Sequence, residues 1–465
     1  MKKILIFLSI LLVFLLFLFS KFFIGTGNFS SFKSILNNET KYYIKRYIFP
    51  GKLISQLENE IDFLKDKVSV FDNEKLSKYD LEFKKSLKDI KIIKKKNKKL
   101  IGNLKLHKYK LKDGFNSGIY RVYPGSGFLD FHGKNFFILS ARGVLGFHDN
   151  IKNIENKLSI KQIKNNINNF IGLNEFLKSG WFSIKDLHIH ENKIFISYTE
   201  EVLPNCWNTS VIWAEINYID IIFEKLFSNN NCINEISPEG EDFSGHQSGG
   251  EIINYDESNI LLSVGDYRRR FHAQDLQSIN GKIIMINVNN KNHKIISMGH
   301  RNPQGIYFDR EDKYVLISEQ GPQGGDEINL IEVDKINDGE VLNFGWPVVS
   351  AGEHYGGKTE GNIERYKKYP LYKSHSKYGF IEPLKSFVPS VAITSIIKIN
   401  KKNYIVASLK DKSLYNFKLN NNNEIIDLKR VEIFERIRDI VYKNHTLYLF
   451  LENTASIGII DIKNL

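Results

Sequence analysis

Three short runs concentrate the chain's chemistry. Gly299-His300-Arg301-Asn302-Pro303-Gln304-Gly305 is followed by Ser318-Glu319-Gln320-Gly321-Pro322-Gln323-Gly324-Gly325-Asp326-Glu327-Ile328-Asn329, and then by Asn343-Phe344-Gly345-Trp346-Pro347. These turn-forming runs are too rich in Arg, Asn, Gln and acids to be connectors only. Gly321, Gly324 and Gly325 permit backbone conformations in which carbonyls face inward. Carbonyls beside carboxylates suit a hard cation such as Ca²⁺. Ordinary Asx and glycine turns are the plainer reading of any one run taken alone. Arg436 and Arg438 stand at i and i+2. They are either two solvated arginines on one face of a strand or part of an anion site, for which guanidinium forks are suited.

The elements that would carry these groups are mostly short strands. From about residue 117 a polar turn repeatedly leads into three or four apolar residues, then a small or polar residue, then a charge. The six instances run through Phe136–Leu139 to Arg142, Ile194–Ile196 to Glu200, Ile260–Leu262 to Asp266, Tyr314–Ile317 to Glu319, Tyr404–Val406 to Lys410, and Leu447–Leu451 to Glu452. Uneven spacing predicts an all-β, six-bladed β-propeller with loop insertions rather than a tight solenoid. Six strand-ending charges would then face a common mouth beside the axis, which a β-sandwich does not require. Aromatic content of 13% agrees with β structure.

Residues 1–24 read differently. Ile4 to Phe19 is apolar apart from Ser9, and with Phe22 to Ile24 it reaches the roughly 20 residues of a spanning helix. The Ser20-Lys21-Phe22-Phe23 stretch offers no small-x-small cleavage site, so an uncleaved signal anchor is expected in preference to a removed signal peptide. Lys2 and Lys3 place the bulk of the chain outside, an extracytoplasmic and periplasmic location. Residues 25–115 are expected to form a helical, basic stalk, with Ile54, Leu57, Ile61, Leu64 and Val68 along one seam. That seam is about two heptads, enough to pack on the domain or pair weakly as a homodimer. The propeller is expected over 116–465. Much of the formal charge of +12 lies in Lys84 to Lys112, a solvated face or juxtamembrane patch; no nucleic-acid reader motif accompanies it. Cys206 and Cys232 bracket two apparent strands, and an oxidising compartment would allow them to bridge.

Taken together, the runs resemble the soluble quinoprotein glucose dehydrogenase and aldose sugar dehydrogenase family, also called glucose/sorbosone dehydrogenases. Further pieces of the resemblance are His246-Gln247-Ser248-Gly249, Val264-Gly265-Asp266, Gln274-Asp275-Leu276 with Gly281-Lys282-Ile283, and Glu435-Arg436-Ile437-Arg438-Asp439. It covers about residues 180 to 460, most strongly 244 to 357. The resemblance implies a six-bladed propeller binding pyrroloquinoline quinone (PQQ) and Ca²⁺ on its axis. It implies that His246 takes the proton of a sugar hydroxyl and that Asp266 orients the imidazole. It also implies that Arg301, Asn302, Gln320, Lys410, Arg436 and Arg438 meet the cofactor. The carbonyls of Gly321 and Pro322 would hold a catalytic calcium, and Asp326 and Glu327 a structural one. Electrons would pass to a membrane quinone or a periplasmic carrier. Departures fall on the substrate side: Gly245 before the base, Tyr267-Arg268-Arg269-Arg270 after Asp266, Trp181-Phe182-Ser183-Ile184 in an early blade, and Val388 before Pro389.

Two other functions compete with a PQQ-dependent aldose or polyol dehydrogenase. A propeller can keep its fold as an inactive extracytoplasmic scaffold, which would need no cationic axis. A sugar lactone hydrolase would want several axial carboxylates in place of four cationic side chains.

Overall fold

The computed structural model describes residues 73–463 apart from 102, 121–122, 152–153, 155–158, 237–242 and 244. The expected signal anchor and the Ile54–Val68 seam lie outside the described residues. Among the described residues, no helix is long and apolar enough to cross a membrane.

From residue 105 onward the framework is six blades of four antiparallel strands each, the first and sixth joined into one sheet through Ile90–Lys94. Their innermost strands are Gly127–His132, Ile184–His190, Gly249–Asn254, Pro303–Asp309, Ile393–Asn400 and Ile437–Lys443. Each touches the next, and the sixth touches the first, so the strands close a ring. This is a six-bladed β-propeller. The second strands of the blades are Asn135–Ser140, Lys193–Leu203, Asn259–Val264, Tyr314–Glu319, Asn403–Ser408 and Thr446–Leu451. All six repeats read from the sequence are these strands. Tyr314–Glu319 and Asn403–Ser408 are buried at every position, because neighbouring blades cover both faces; hence their apolar runs show no alternation.

Polar side chains fasten every blade junction. Asp439 Oδ2 accepts from Leu129 N at 2.7 Å, Asp130 Oδ2 from Ile189 N at 2.6 Å, and Asp186 Oδ2 from Ile252 N at 2.8 Å. Ser263 Oγ donates to Pro303 O, Ser318 Oγ to Thr394 O and Thr394 Oγ1 to Ile437 O, at 2.9, 2.5 and 3.0 Å. Each bond removes an unsatisfied buried group where two sheets meet edge-on.

The expected stalk is corrected by the structure. Only 73–86 is helical among the described residues of 25–115; Ile90–Lys94, Lys98–Lys99 and Lys105–Leu111 are strands. Lys105–Leu111 pairs with Ser456–Asp461 and supplies the fourth strand of the sixth blade, so the propeller starts before residue 116. Its alternation of exposed Lys105 and Lys110 with buried Leu106, Tyr109 and Leu111 is the period of a half-buried strand, not of a helix. The helix over 73–86 docks on the propeller through Asp80, which accepts from Asn116 N and Ser117 N, both bonds shorter than 3 Å on Oδ2. Cys206 and Cys232 form a disulfide with Cα atoms 5.4 Å apart. The strand Cys206–Glu215 meets Ile233–Asn234 antiparallel and brings the two together.

Candidate active site

Register places the chemistry on one face. The start of each innermost strand lies opposite the end of the second strand, or in the longer second strand of the second blade its middle: Gly127 with Ser140, Ile184 with Tyr198, Gly249 with Val264, Pro303 with Glu319, Ile393 with Ser408, Ile437 with Leu451. His246, Arg301, Asn302 and Arg436 precede innermost strands, while Asp266, Gln320, Lys410 and Glu452 follow second strands. All therefore gather at the same mouth of the ring.

The sixth blade holds two of the cations. Arg436 Nε and Arg438 Nε lie 3.1 and 2.6 Å from the two oxygens of Glu452, which is fully buried and also accepts from Ser126 Oγ. Burial alone would raise the Glu452 carboxyl, but Arg438 and Arg436 outweigh it and hold the group below its usual value. The Arg436 guanidinium packs over Tyr120 and Tyr123, at 4.9 and 4.7 Å from their ring centroids. Arg438 Nη1 reaches Gln304 Oε1 at 3.4 Å, Gln304 Nε2 donates to Asn302 Oδ1, and Asn302 Nδ2 donates to Gln320 Oε1. Gln320 in turn donates to Ile393 O. Asn302 and Gln320 thus belong to an amide chain linking three blades. Lys410 is exposed on the loop after Asn403–Ser408, its backbone tied to Val391 O.

On the opposite side, Arg301 is 4% exposed. Its Nη1 donates to Gln320 O at 2.9 Å and Gly321 O at 2.6 Å, and its Nε is buried without a partner among the described residues. The Gln247 amide bridges Arg301 and Asp266. Its nitrogen donates to Asp266 Oδ1 and its oxygen accepts from Arg301 Nη2, both at 2.7 Å in the orientation that satisfies both ends. Asp266 also accepts from Trp346 Nε1 at 2.7 Å and Arg268 N at 2.8 Å. Burial raises its carboxyl, against the opposing pull of Arg301 and Arg270. These bonds tie the Asp266 carboxylate to the residue after His246, to Trp346 and to the Arg268 backbone. The His246 ring packs on Trp181, with centroids 4.2 Å apart. Trp181 meets Tyr120 edge-on at 5.7 Å, so an aromatic wall runs from His246 to Arg436.

Calcium does not fit the residues expected to bind it. Asp326 is encircled by its own chain, accepting from Gly321 N, Ser390 Oγ, Val391 N and Ala392 N at 2.5–3.0 Å. Glu327, the next residue of the strand, instead faces His375 Nε2 at 3.5 Å. Gly321 O already accepts from the Arg301 guanidinium, a positive charge that would repel a cation there, and Pro322 lies buried beside it. The glycines serve chain crossing: a Cβ on Gly321 would stand 1.9 Å from Gly325 O. Among the described residues, no group of three or more His, Cys, Asp or Glu is placed to hold a metal.

A tricarboxylate such as PQQ fits better. Arg301 offers an unsatisfied buried donor. Lys185, which the sequence analysis missed, is buried at the same mouth with Nζ on Trp181 O. Burial, then Arg438 and Arg142, drive its pKa well below the usual value. Crowded, desolvated cations of this kind are what a polyanion would relieve. The only hint of Lys185 in the sequence was a charge one residue beyond Trp181-Phe182-Ser183-Ile184. Glu452 was legible as a strand-ending charge but not as the anchor of two arginines.

Residues 182–459 match the family model for glucose/sorbosone dehydrogenase. The chain belongs to that family. It is 25% identical over 218 residues to the aldose sugar dehydrogenase YliI of Escherichia coli, covering 42% of this chain and 54% of the relative. It is 28% identical over 238 residues to an uncharacterized protein of Synechocystis sp., covering 45% and 52%. The chain thus spans about half the length of these curated relatives. Among solved structures, a glucose dehydrogenase superposes with a TM-score of 0.58 at 18% identity, over 72% of this chain and 95% of the other. The PQQ-bound aldose sugar dehydrogenase of Streptomyces coelicolor gives 0.52 at 16%, over 72% and 93%. At these identities the likeness establishes the shared fold.

Proposed function

We propose that this glucose/sorbosone dehydrogenase family member oxidises an aldose or related polyol, with His246 as general base and PQQ as cofactor. The observation that carries the reading is the convergence of Arg301, Arg436, Arg438, Lys185 and Lys410 on the mouth that also holds His246. When bound, PQQ would supply the two-electron, hydride-accepting chemistry that no side chain offers. Arg301 Nε, Arg438 and Arg436 would hold its carboxylates, the last two pre-aimed by Glu452. Asp266 and Gln247 keep Arg301 in place, so less ordering remains when an anion binds. Trp181 gives a sugar an apolar face to lie on. His246, against that face, takes the proton from the sugar hydroxyl oxygen as the adjoining C–H is oxidised. An inactive scaffold has no use for this arrangement.

The Cys206–Cys232 bridge and the apolar run from Ile4 to Phe19 favour an anchored, extracytoplasmic setting, with a quinone or a soluble carrier as electron acceptor. To test the function, the full chain is titrated with PQQ by absorbance, and dye reduction is then assayed across a sugar panel. Saturable uptake and turnover are expected, and His246→Ala should abolish turnover while retaining uptake. No uptake of PQQ would sink the enzyme reading; loss of uptake in His246→Ala would remove His246 from the role of base.

A further inference from the structure

The chain's charge is confined to one place. Residues 84–112 hold thirteen lysines against a single acid, Asp89, which is the whole of the formal +12; the remaining sequence is balanced. The structure folds most of this stretch into one ribbon. Ile90–Lys94 and Lys98–Lys99 both pair antiparallel with Lys105–Leu111. Ile90, Ile92, Leu106, Tyr109 and Leu111 turn into the core, while Lys91, Lys95, Lys96, Lys98, Lys99 and Lys110 stand exposed. The ribbon joins the third strand Ser456–Asp461 of the sixth blade to the outer strand Ser159–Asn165 of the first. It therefore lies on the rim of the propeller, and the site chemistry does not use it.

Apolar side chains break this cationic surface. Ile101 is 69% exposed and Ile93 41%. Phe434 is 47% exposed, with Lys98 Nζ 3.3 Å above its ring. Aliphatic and aromatic tips among lysines match a bilayer interface, where phosphates take the ammonium groups and the headgroup boundary takes the apolar ends. A duplex nucleic acid would draw on the charge alone and leave Ile93 and Ile101 in water.

We propose that the ribbon 90–111 is a docking surface for an anionic lipid bilayer. It lays the rim of the propeller against the membrane independently of the apolar run Ile4–Phe19, which makes lipid the anion closest to hand. Each lysine near such a surface strengthens binding about fivefold. Neutralising Lys95, Lys96 and Lys98 should then weaken docking by roughly a hundredfold.

The test uses the full chain in nanodiscs of phosphatidylcholine alone or with phosphatidylglycerol, reading hydrogen exchange over residues 93–101. Phosphatidylglycerol should slow exchange there. High salt should reverse the slowing, and the Lys95→Ser, Lys96→Ser, Lys98→Ser triple variant should lack it while keeping the parent melting temperature. Equal exchange in the two lipid mixtures would overturn the proposal, as would slowing by duplex DNA or polyglutamate without any by phosphatidylglycerol. Slowing that survives both salt and the triple variant would likewise assign the contact to something other than the lysines.

Discussion

Replacing Glu452 with Gln removes one negative charge from a fully buried carboxylate that faces two arginines. In the parent both Nε–O contacts are short, at 3.1 and 2.6 Å, and the two arginines are themselves nearly buried. Each charge-assisted hydrogen bond contributes about 1.5–3 kcal/mol, and breaking a buried pair by removing one partner costs about 3–5 kcal/mol. The amide keeps one acceptor oxygen, so one arginine retains a neutral bond and the other keeps none. A loss of about 3 kcal/mol in unfolding free energy at pH 7 is expected. The Glu452 carboxyl is held below its ordinary 4.5. Its contribution is therefore full above about 4.5 and fades as pH falls through the depressed folded value. Parent and Glu452→Gln should differ in urea midpoint at pH 7 and converge in acid. A variant as stable as the parent at pH 7, or a difference that persists unchanged at low pH, would refute the claim that Glu452 anchors the cationic mouth.

Two further outcomes are expected. Cys206→Ser opens a loop with a sequence separation of 26; loop entropy puts the loss at about 3.5 kcal/mol, measurable by urea unfolding of oxidised parent against variant. Burial raises Asp130 to about 7 and Asp439 to about 6, and raises Asp186 and Glu251 well above their usual values. The folded state then holds protons that the unfolded chain has released, so these groups make stability fall as pH rises from about 4 to 7. His188 and fully buried His300, both lowered to about 3, pull the other way below about 6.5 without outnumbering them. Melting temperature should be higher at pH 5 than at pH 8, and Glu251→Gln should narrow that gap; a gap of opposite sign would show that the histidines dominate.

The propeller was legible because each second strand is covered on both faces, which forces an unbroken apolar run, and because the small residue after it has a job. Ser197, Ser263 and Ser318 each reach across to a carbonyl of the next blade. Of the charges after those serines, Asp266 bonds Gln247 at the mouth, whereas Glu200 turns to Ser210 and Lys225 of its own blade and Glu319 to His300. What the pattern could not convey was pairing across blades. Nothing local distinguishes an Asp326 that bonds four groups of its own chain from one that binds a metal. Nor does sequence spacing show that Asp266 reaches Gln247 and Trp346. The stretch from 90 to 111 was misread because thirteen nearby lysines mask a short alternation of buried Ile, Leu and Tyr.

The strand Lys105–Leu111 has a consequence for how the molecule comes to exist. Its partner, Ser456–Asp461, is some 350 residues later in the chain, so the ring cannot be clasped until nearly all of the polypeptide has been delivered. Long-range pairing of this kind is slow and leaves strand edges open in the meantime. The lysines that line this strand are also the residues that discourage an open edge from pairing with a stranger. The same ribbon that carries the chain's charge would thus guard its unfinished seam.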